Sequence, residues 1–147
     1  MNLLSVTHFN NYSYIENERW RKNKETDGCV YGCPVRIKSS VQISSKIYVI
    51  EMNNETNSIM GIGLITNRIL RKKSKIYSDE NYNRYIYSGK KRINNNLIDK
   101  NTLKQLEERL FKGKNHLKRN QGIICVPKDI TKKYLYYIKE LFNIVFN

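Results

Sequence analysis

Lys46-Ile47-Tyr48-Val49-Ile50-Glu51-Met52, the cluster Asn53-Asn54-Glu55-Thr56-Asn57, and Ser58-Ile59-Met60-Gly61-Ile62-Gly63-Leu64-Ile65-Thr66 decide how this chain folds. The first run is β-branched and aromatic, which is the composition of a buried strand. The Asn-rich cluster tolerates the conformations that reverse a chain. The third run returns as another strand, so 46–66 reads as a β-hairpin. Gly61 and Gly63 are two apart and face the same side of the return strand. Glycine inside a strand marks a bulge or a place where another backbone or a ligand comes close.

Outward from the hairpin, Leu3–Phe9 reads as a short strand with Leu4, Val6 and His8 on one face. Residues Tyr85–Ile93 read as a second hairpin or one bent strand, and Gly122–Pro127 as a last short apolar strand. Asp99 is placed to cap a helix with the stripe Leu103, Leu106, Leu110 and Phe111, stopped at Gly113. A C-terminal helix over 129–146 carries Ile130, Tyr134, Tyr137, Ile138, Leu141 and Val145 at helical spacing, the pattern of a core-facing stripe. The segment Asn10–Asp27 mixes Tyr12, Tyr14, Ile15 and Trp20 with charges and reads as irregular with a helical turn. Strands come first and outnumber helices. The expectation is a single α+β domain over 1–147: a small, mostly antiparallel sheet or pseudo-barrel with flanking helices, the last of them packed on the sheet.

The 147 residues carry 27 Lys and Arg against 13 Asp and Glu, a net charge of +14. A folded chain this basic repels itself, and phosphate polyanions are the usual counterpart because each neutralised phosphate releases counterions. A second reading stays open, since an AT-rich genome also writes surfaces rich in Asn, Lys, Ile and Tyr. The hydrophobic fraction of 39% and the 11 Tyr exclude a disordered basic tail. No apolar run reaches the roughly 18 residues of a spanning helix, and polar residues follow Met1-Asn2-Leu3-Leu4 at once. With 3 Cys, an odd number, the protein is expected to be intracellular with reduced thiols.

Three basic segments stand out: Arg19-Trp20-Arg21-Lys22-Asn23-Lys24, Arg68-Ile69-Leu70-Arg71-Lys72-Lys73-Ser74-Lys75, and Lys112-Gly113-Lys114-Asn115-His116-Leu117-Lys118-Arg119-Asn120. Each adjoins a predicted element, so a structured surface is expected to collect them. Arg and Lys hold phosphate oxygens, and exposed aromatics stack on unpaired bases. The expected nucleic-acid-binding residues are Arg19, Trp20, Arg21, Arg71, Lys72, Lys73, Tyr82, Asn83, Arg84, Tyr85, Lys114, Lys118 and Arg119. The bland reading of the aromatics is core and cross-strand packing. Cys29 and Cys33 in Gly28-Cys29-Val30-Tyr31-Gly32-Cys33-Pro34 read as a turn with two partly buried thiols; no metal and no cofactor is expected. A four-ligand zinc site would need nearly all of Cys29, Cys33, Cys125, His8 and His116 to converge. Glu51, the one carboxylate in a predicted strand, is the catalytic candidate: beside a Lys it would serve a hydrolase or nuclease, or it pairs with a buried basic group.

The segment Ile47-Tyr48-Val49-Ile50-Glu51-Met52 with Ile59-Met60-Gly61-Ile62-Gly63-Leu64-Ile65 resembles the PUA-like group of domains, which includes the ASCH, EVE and YTH families. In these, a strand with an apolar run is followed by a hairpin return with a Gly-x-Gly-like stretch. The wider chain, with Tyr77-Ser78, Asn81-Tyr82-Asn83-Arg84-Tyr85, Phe111-Lys112-Gly113-Lys114 and His116-Leu117-Lys118-Arg119, resembles proteins of giant DNA viruses. The specific likeness covers about twenty residues of the 147. It implies a small pseudo-barrel and recognition of RNA or a modified base in a cleft. The aromatic cage of those families has no counterpart here, since Trp20 is the only Trp. Some ASCH-type relatives are hydrolases or ribonucleases, so the alternatives to a binding module are an enzyme acting on nucleic acid or nucleoside, and a virion or assembly protein that contacts packaged genome. Nucleic acid is the expected partner, with a protein partner as a further possibility; no membrane association is expected. Host cytoplasm or virion would be the location if the protein is viral.

Overall fold

A strand that is apolar at nearly every position needs cover on both faces, and the hairpin has it. The computed structural model describes residues 2–72 and 74–147. Its elements are β1 (Asn2–Phe9), α1 (Asn11–Asn23), β2 (Cys29–Cys33), β3 (Lys46–Asn53), β4 (Ser58–Thr66), β5 (Tyr85–Gly89), β6 (Lys91–Asn94), α2 (Lys100–Phe111), β7 (Ile124–Cys125) and α3 (Lys128–Phe146). Five strands form one sheet in the order β6-β4-β3-β1-β7, and β2 and β5 form a second, two-stranded sheet. All pairs are antiparallel except β1 with β3, which run parallel with Leu4 beside Tyr48 and Val6 beside Ile50.

The larger sheet has helices on one face and the smaller sheet on the other. Leu4, Val6, Tyr48, Ile50, Met52, Ile59 and Ile62 meet Leu106 and Leu110 of α2 and Ile130, Ile138 and Phe142 of α3. On the opposite face Phe9, Ile47, Val49 and Ile65 meet Val30 and Tyr31 of β2, Ile86 and Tyr87 of β5, and Tyr14 and Trp20 of α1. Alternate residues of β3 thus enter two different cores. A bulge in β4 sets Glu51 against Gly61 and Met52 against Ile59, leaving Met60 over. It is why Ile59 and Ile62, three apart, reach the same core.

The expected pseudo-barrel is not formed: the sheet is open, with β6 and β7 at its edges. The run Tyr85–Ile93 is neither a hairpin nor one strand. It breaks at Lys90, with β5 pairing to β2 and β6 to β4, so the two halves serve different layers. Residues 11–23 are a full helix, not an irregular stretch with one turn. Asn10 and Ser13 form a reciprocal capping box, the Ser13 amide donating to Asn10 Oδ1 at 2.7 Å and the Asn10 amide to Ser13 Oγ at 3.0 Å. Residues 29–33 are a strand rather than a turn, and its thiols lie in the core, 3% and 1% exposed. In α3 the inward position is Phe142, while Val145 is 40% exposed. Asp99 caps α2 as expected, accepting from the Thr102 amide at 3.0 Å. No helix among the described residues is long and apolar enough to cross a membrane.

Candidate polyanion-binding groove

The smaller sheet lies so tightly on the larger one that Gly89 and Gly63 are required where they touch. A Cβ on Gly89 would stand 1.7 Å from the Leu64 carbonyl oxygen, so β5 ends directly against β4. This contact leads into β6 with Lys91 paired to Leu64, two residues short of Thr66, which ends β4 opposite Lys46 at the start of β3. The chain leaving β4 is pinned beside them. Asn67 Nδ2 donates to the carbonyls of Val41 and Gln42 at 3.2 and 3.1 Å, Arg68 Nη2 donates to Ser44 Oγ at 2.7 Å, and the Leu70 amide donates to the Ile86 carbonyl at 2.8 Å.

The result is a groove of about 950 Å³ whose cations are Lys46, Arg68, Arg71, Lys90 and Lys91, with Tyr48, Leu64, Ile69 and Leu70 among its walls. Through Ile69, Leu70 and Arg71 it adjoins a recess of about 330 Å³ completed by Arg36, Arg84 and Tyr85. Among the described residues no carboxylate lines either space. All seven cations are exposed, and none takes part in an ion pair among the described residues. The Arg36 and Arg84 guanidinium carbons lie 5.1 and 5.5 Å from the Tyr85 ring centroid. Those two guanidiniums, Arg36 first, draw the Tyr85 phenol below its ordinary pKa. Seven like charges held around two adjoining acid-free spaces repel one another, and a polyanion relieves that repulsion.

The sequence-predicted residues divide. Arg71, Arg84 and Tyr85 come together here. Lys72 is exposed but lines neither space, and Lys73 lies outside the described residues. The third basic segment is at the far end of the hairpin. Asn54 Nδ2 donates to the Lys118 carbonyl and Lys118 Nζ to Asn57 Oδ1, at 3.0 and 2.7 Å. An eight-residue strand separates that turn from Lys46, about 25 Å at the usual rise. Lys114 and Arg119 are exposed in the same segment, so one face does not collect all three segments.

Several predicted binding residues have structural work instead. Asn83 Oδ1 accepts from the Ile76 and Tyr77 amides and its Nδ2 donates to the Tyr77 carbonyl, which leaves little to read a base with. Tyr82 packs edge-on against Tyr77 and lines a separate cavity at the start of α1. Trp20 is half-buried against the second core with Lys24 over its ring, and Arg21 is tied to Asn17 and Tyr14. Arg19 is exposed on α1. Lys46, Arg68, Lys90, Lys91 and Arg36 were missed as binding residues. Their signal was present in the dipeptide Lys90-Lys91 after a glycine and in a Lys opening a strand, but nothing local says that these meet.

Glu51, the catalytic candidate, is sequestered. Its partner is Arg92, not a Lys: Arg92 Nε donates to Oε2 at 2.9 Å and Nη2 to Oε1 at 2.6 Å. Tyr31 Oη donates to Oε2 at 2.6 Å. The Glu51 and Arg92 side chains are 1% and 7% exposed. Burial alone would lower the Arg92 pKa, but the bonds and charge of Glu51 outweigh it and raise it. The glycine pair makes room for this cluster, since a Cβ on Gly61 would meet Arg92 Nη2 at 2.6 Å and one on Gly63 would meet Tyr31 Oη at 2.2 Å. Close approach by these side chains, and by the Ile93 carbonyl oxygen, which a Cβ on Gly61 would also meet at 2.6 Å, accounts for Gly-x-Gly. No group of three or more His, Cys, Asp or Glu among the described residues is gathered so as to hold a metal ion. Comparison with protein-family models, curated proteins and solved structures gives no match to this chain.

Proposed function

We propose that this protein is a nucleic-acid-binding module, with the phosphate backbone lying in the groove at the end of the β3–β4 hairpin. The observation that supports it is the gathering of Lys46, Arg68, Arg71, Lys90 and Lys91 around one concavity without a carboxylate. Lys and Arg neutralise phosphates and release counterions, so binding is salt-dependent and indifferent to sequence in its main contribution. The exposed Leu70 and half-buried Ile69 add apolar contact for sugars or bases. A catalytic role for Glu51 has no support in its surroundings.

The test is binding of single- and double-stranded DNA and RNA across a salt series. For a single strand, each lost phosphate contact lowers the slope of log K against log salt by about 0.7. Replacing Lys46, Lys90 and Lys91 by Ala is expected to lower it by about 2. Replacing Lys114, Lys118 and Arg119 is expected to leave it nearly unchanged. Equal effects of the two triple substitutions would reject the groove as the site.

A further inference from the structure

The two parts of the basic surface differ in chemistry. Lysines contribute three of the five cations of the large groove. The small recess has only arginines: Arg36, Arg71 and Arg84. Two of them are oriented by contact with the Tyr85 ring. A lysine is a mobile point charge that suits a backbone passing by. A guanidinium is a planar fork that takes two oxygens of one phosphate at once, and less of its freedom is lost when a ring already holds it. Three such forks around one small space oversupply a phosphodiester, which has one charge and two free oxygens. They match a phosphate monoester, which carries about −1.5 to −2 at neutral pH and has three free oxygens.

We infer that the recess formed by Arg36, Arg71, Arg84 and Tyr85 is a site for a phosphate monoester, namely the terminal phosphate of a nucleic-acid strand whose following phosphates lie in the lysine-bearing groove. The inference rests on the reading of the groove as a nucleic-acid site and adds to it which part of the strand is recognised. Arg71 lines both spaces and joins them, so a strand entering the groove has its end within reach of the recess. The same chemistry is offered by a free mononucleotide, and the experiment separates the two.

The experiment is fluorescence anisotropy with one single-stranded oligonucleotide in three forms: 5′-phosphorylated, 3′-phosphorylated, and hydroxyl at both ends. Each form is titrated with the wild-type protein and with the exposed-residue variants Arg36→Gln and Arg84→Gln. One phosphorylated form is expected to bind about tenfold more tightly than the hydroxyl form, from its added charge-assisted bonds. That preference is expected to vanish in both variants, whereas the hydroxyl form is weakened no more than the loss of a single phosphate contact would weaken it. Tyr85→Phe keeps the ring that seats the arginines and is expected to keep most of the preference. Equal affinity for all three forms overturns the end site but leaves the groove reading standing. Failure of every form to bind overturns both. Competition by adenosine or uridine monophosphate at the concentration of the oligonucleotide itself overturns the strand end in favour of a mononucleotide.

Discussion

Replacing Glu51 by Gln keeps shape and size and removes only the charge. The carboxylate receives three donors, two from Arg92 and one from Tyr31, at 2.6 to 2.9 Å. A Gln has one oxygen to offer them and turns an NH2 group toward a third. Arg92, 7% exposed, then carries a buried charge without a counter-charge. Breaking a buried pair by removing one partner costs about 3–5 kcal/mol. In a chain of this length, 1 kcal/mol moves the melting midpoint by roughly 2–4 °C, so Glu51→Gln is expected to lower Tm by about 10 °C. Tyr31→Phe deletes a single bond to a charged group and is expected to cost less, about 2 kcal/mol. The double change Glu51→Leu with Arg92→Met removes both charges together and is expected to recover most of the loss. The assay is thermal unfolding followed by circular dichroism, with oligonucleotide binding measured below the transition. A midpoint within about 2 °C of wild type, or lost binding in a protein that is still folded, would refute the structural reading of Glu51.

Gly63→Ala is expected to cost about 3 kcal/mol, because its Cβ would lie 2.2 Å from Tyr31 Oη and 2.6 Å from Cys29 Sγ, both in the core; chemical denaturation measures it. Burial pushes the Cys29 and Cys33 thiols from 9.0 up to about 12. The folded state therefore keeps protons that the unfolded chain gives up above pH 9, and stability is expected to fall by about 2 kcal/mol per thiol by pH 10.5. Cys33→Ala should flatten that alkaline decline in a series of melting curves. On the acid side, burial holds the His8 pKa below 6.5 while Nε2 faces the Leu117 carbonyl and Nδ1 is buried without a hydrogen-bond partner among the described residues. The unfolded chain takes up the proton first, so stability is expected to drop as pH falls below 6.5 and to level off beneath the folded-state pKa. His8→Gln, which keeps a donor but does not titrate, is expected to remove that drop.

The hairpin was legible because both its strands are long, apolar and separated by an unmistakable turn. Asp99 and the stripes of α2 and α3 were legible because periodicity there is strong. α1 was not, since its inward residues are Tyr14, Asn17 and Trp20 among charges, too polar a set to form an apolar stripe. The capping box Asn10–Ser13 was the readable sign. The parallel pairing of β1 with β3 and the split of β5 from β6 depend on which layer each strand serves, and no local pattern encodes that. The same holds for the groove. Arg71, Arg84 and Tyr85 were found because their neighbours are basic or aromatic. Lys46 and Arg36 stand beside ordinary strand and loop residues, Lys90 has only the short basic run Lys90-Lys91-Arg92 to mark it, and only the crossing of β5 over β4 makes them neighbours.

The placement of the acids separates a groove from mere compositional excess. Glu51 pairs with Arg92, and Asp99, Asp79, Glu16, Glu55 and Glu107 each accept from a backbone amide elsewhere. Glu18, Glu108 and Asp129 pair with Lys22, Lys112 and Arg109. Nine of the 13 acids are thus committed to caps, turns and pairs away from the groove, so the net charge of +14 is not evenly spread. A surface written by composition alone would interleave the two signs. The difference can be tested at Arg71, which lines both spaces. Arg71→Ala removes one phosphate contact. Arg71→Glu also places a like charge against the phosphate, about 1 kcal/mol at 4 Å in water, and is expected to weaken oligonucleotide binding roughly fivefold beyond Ala. The same reversal at Lys114, in the other basic segment, is expected to change affinity little. If Arg71→Glu and Lys114→Glu weaken binding equally, the ligand senses net charge alone, and the groove has no claim to be its site.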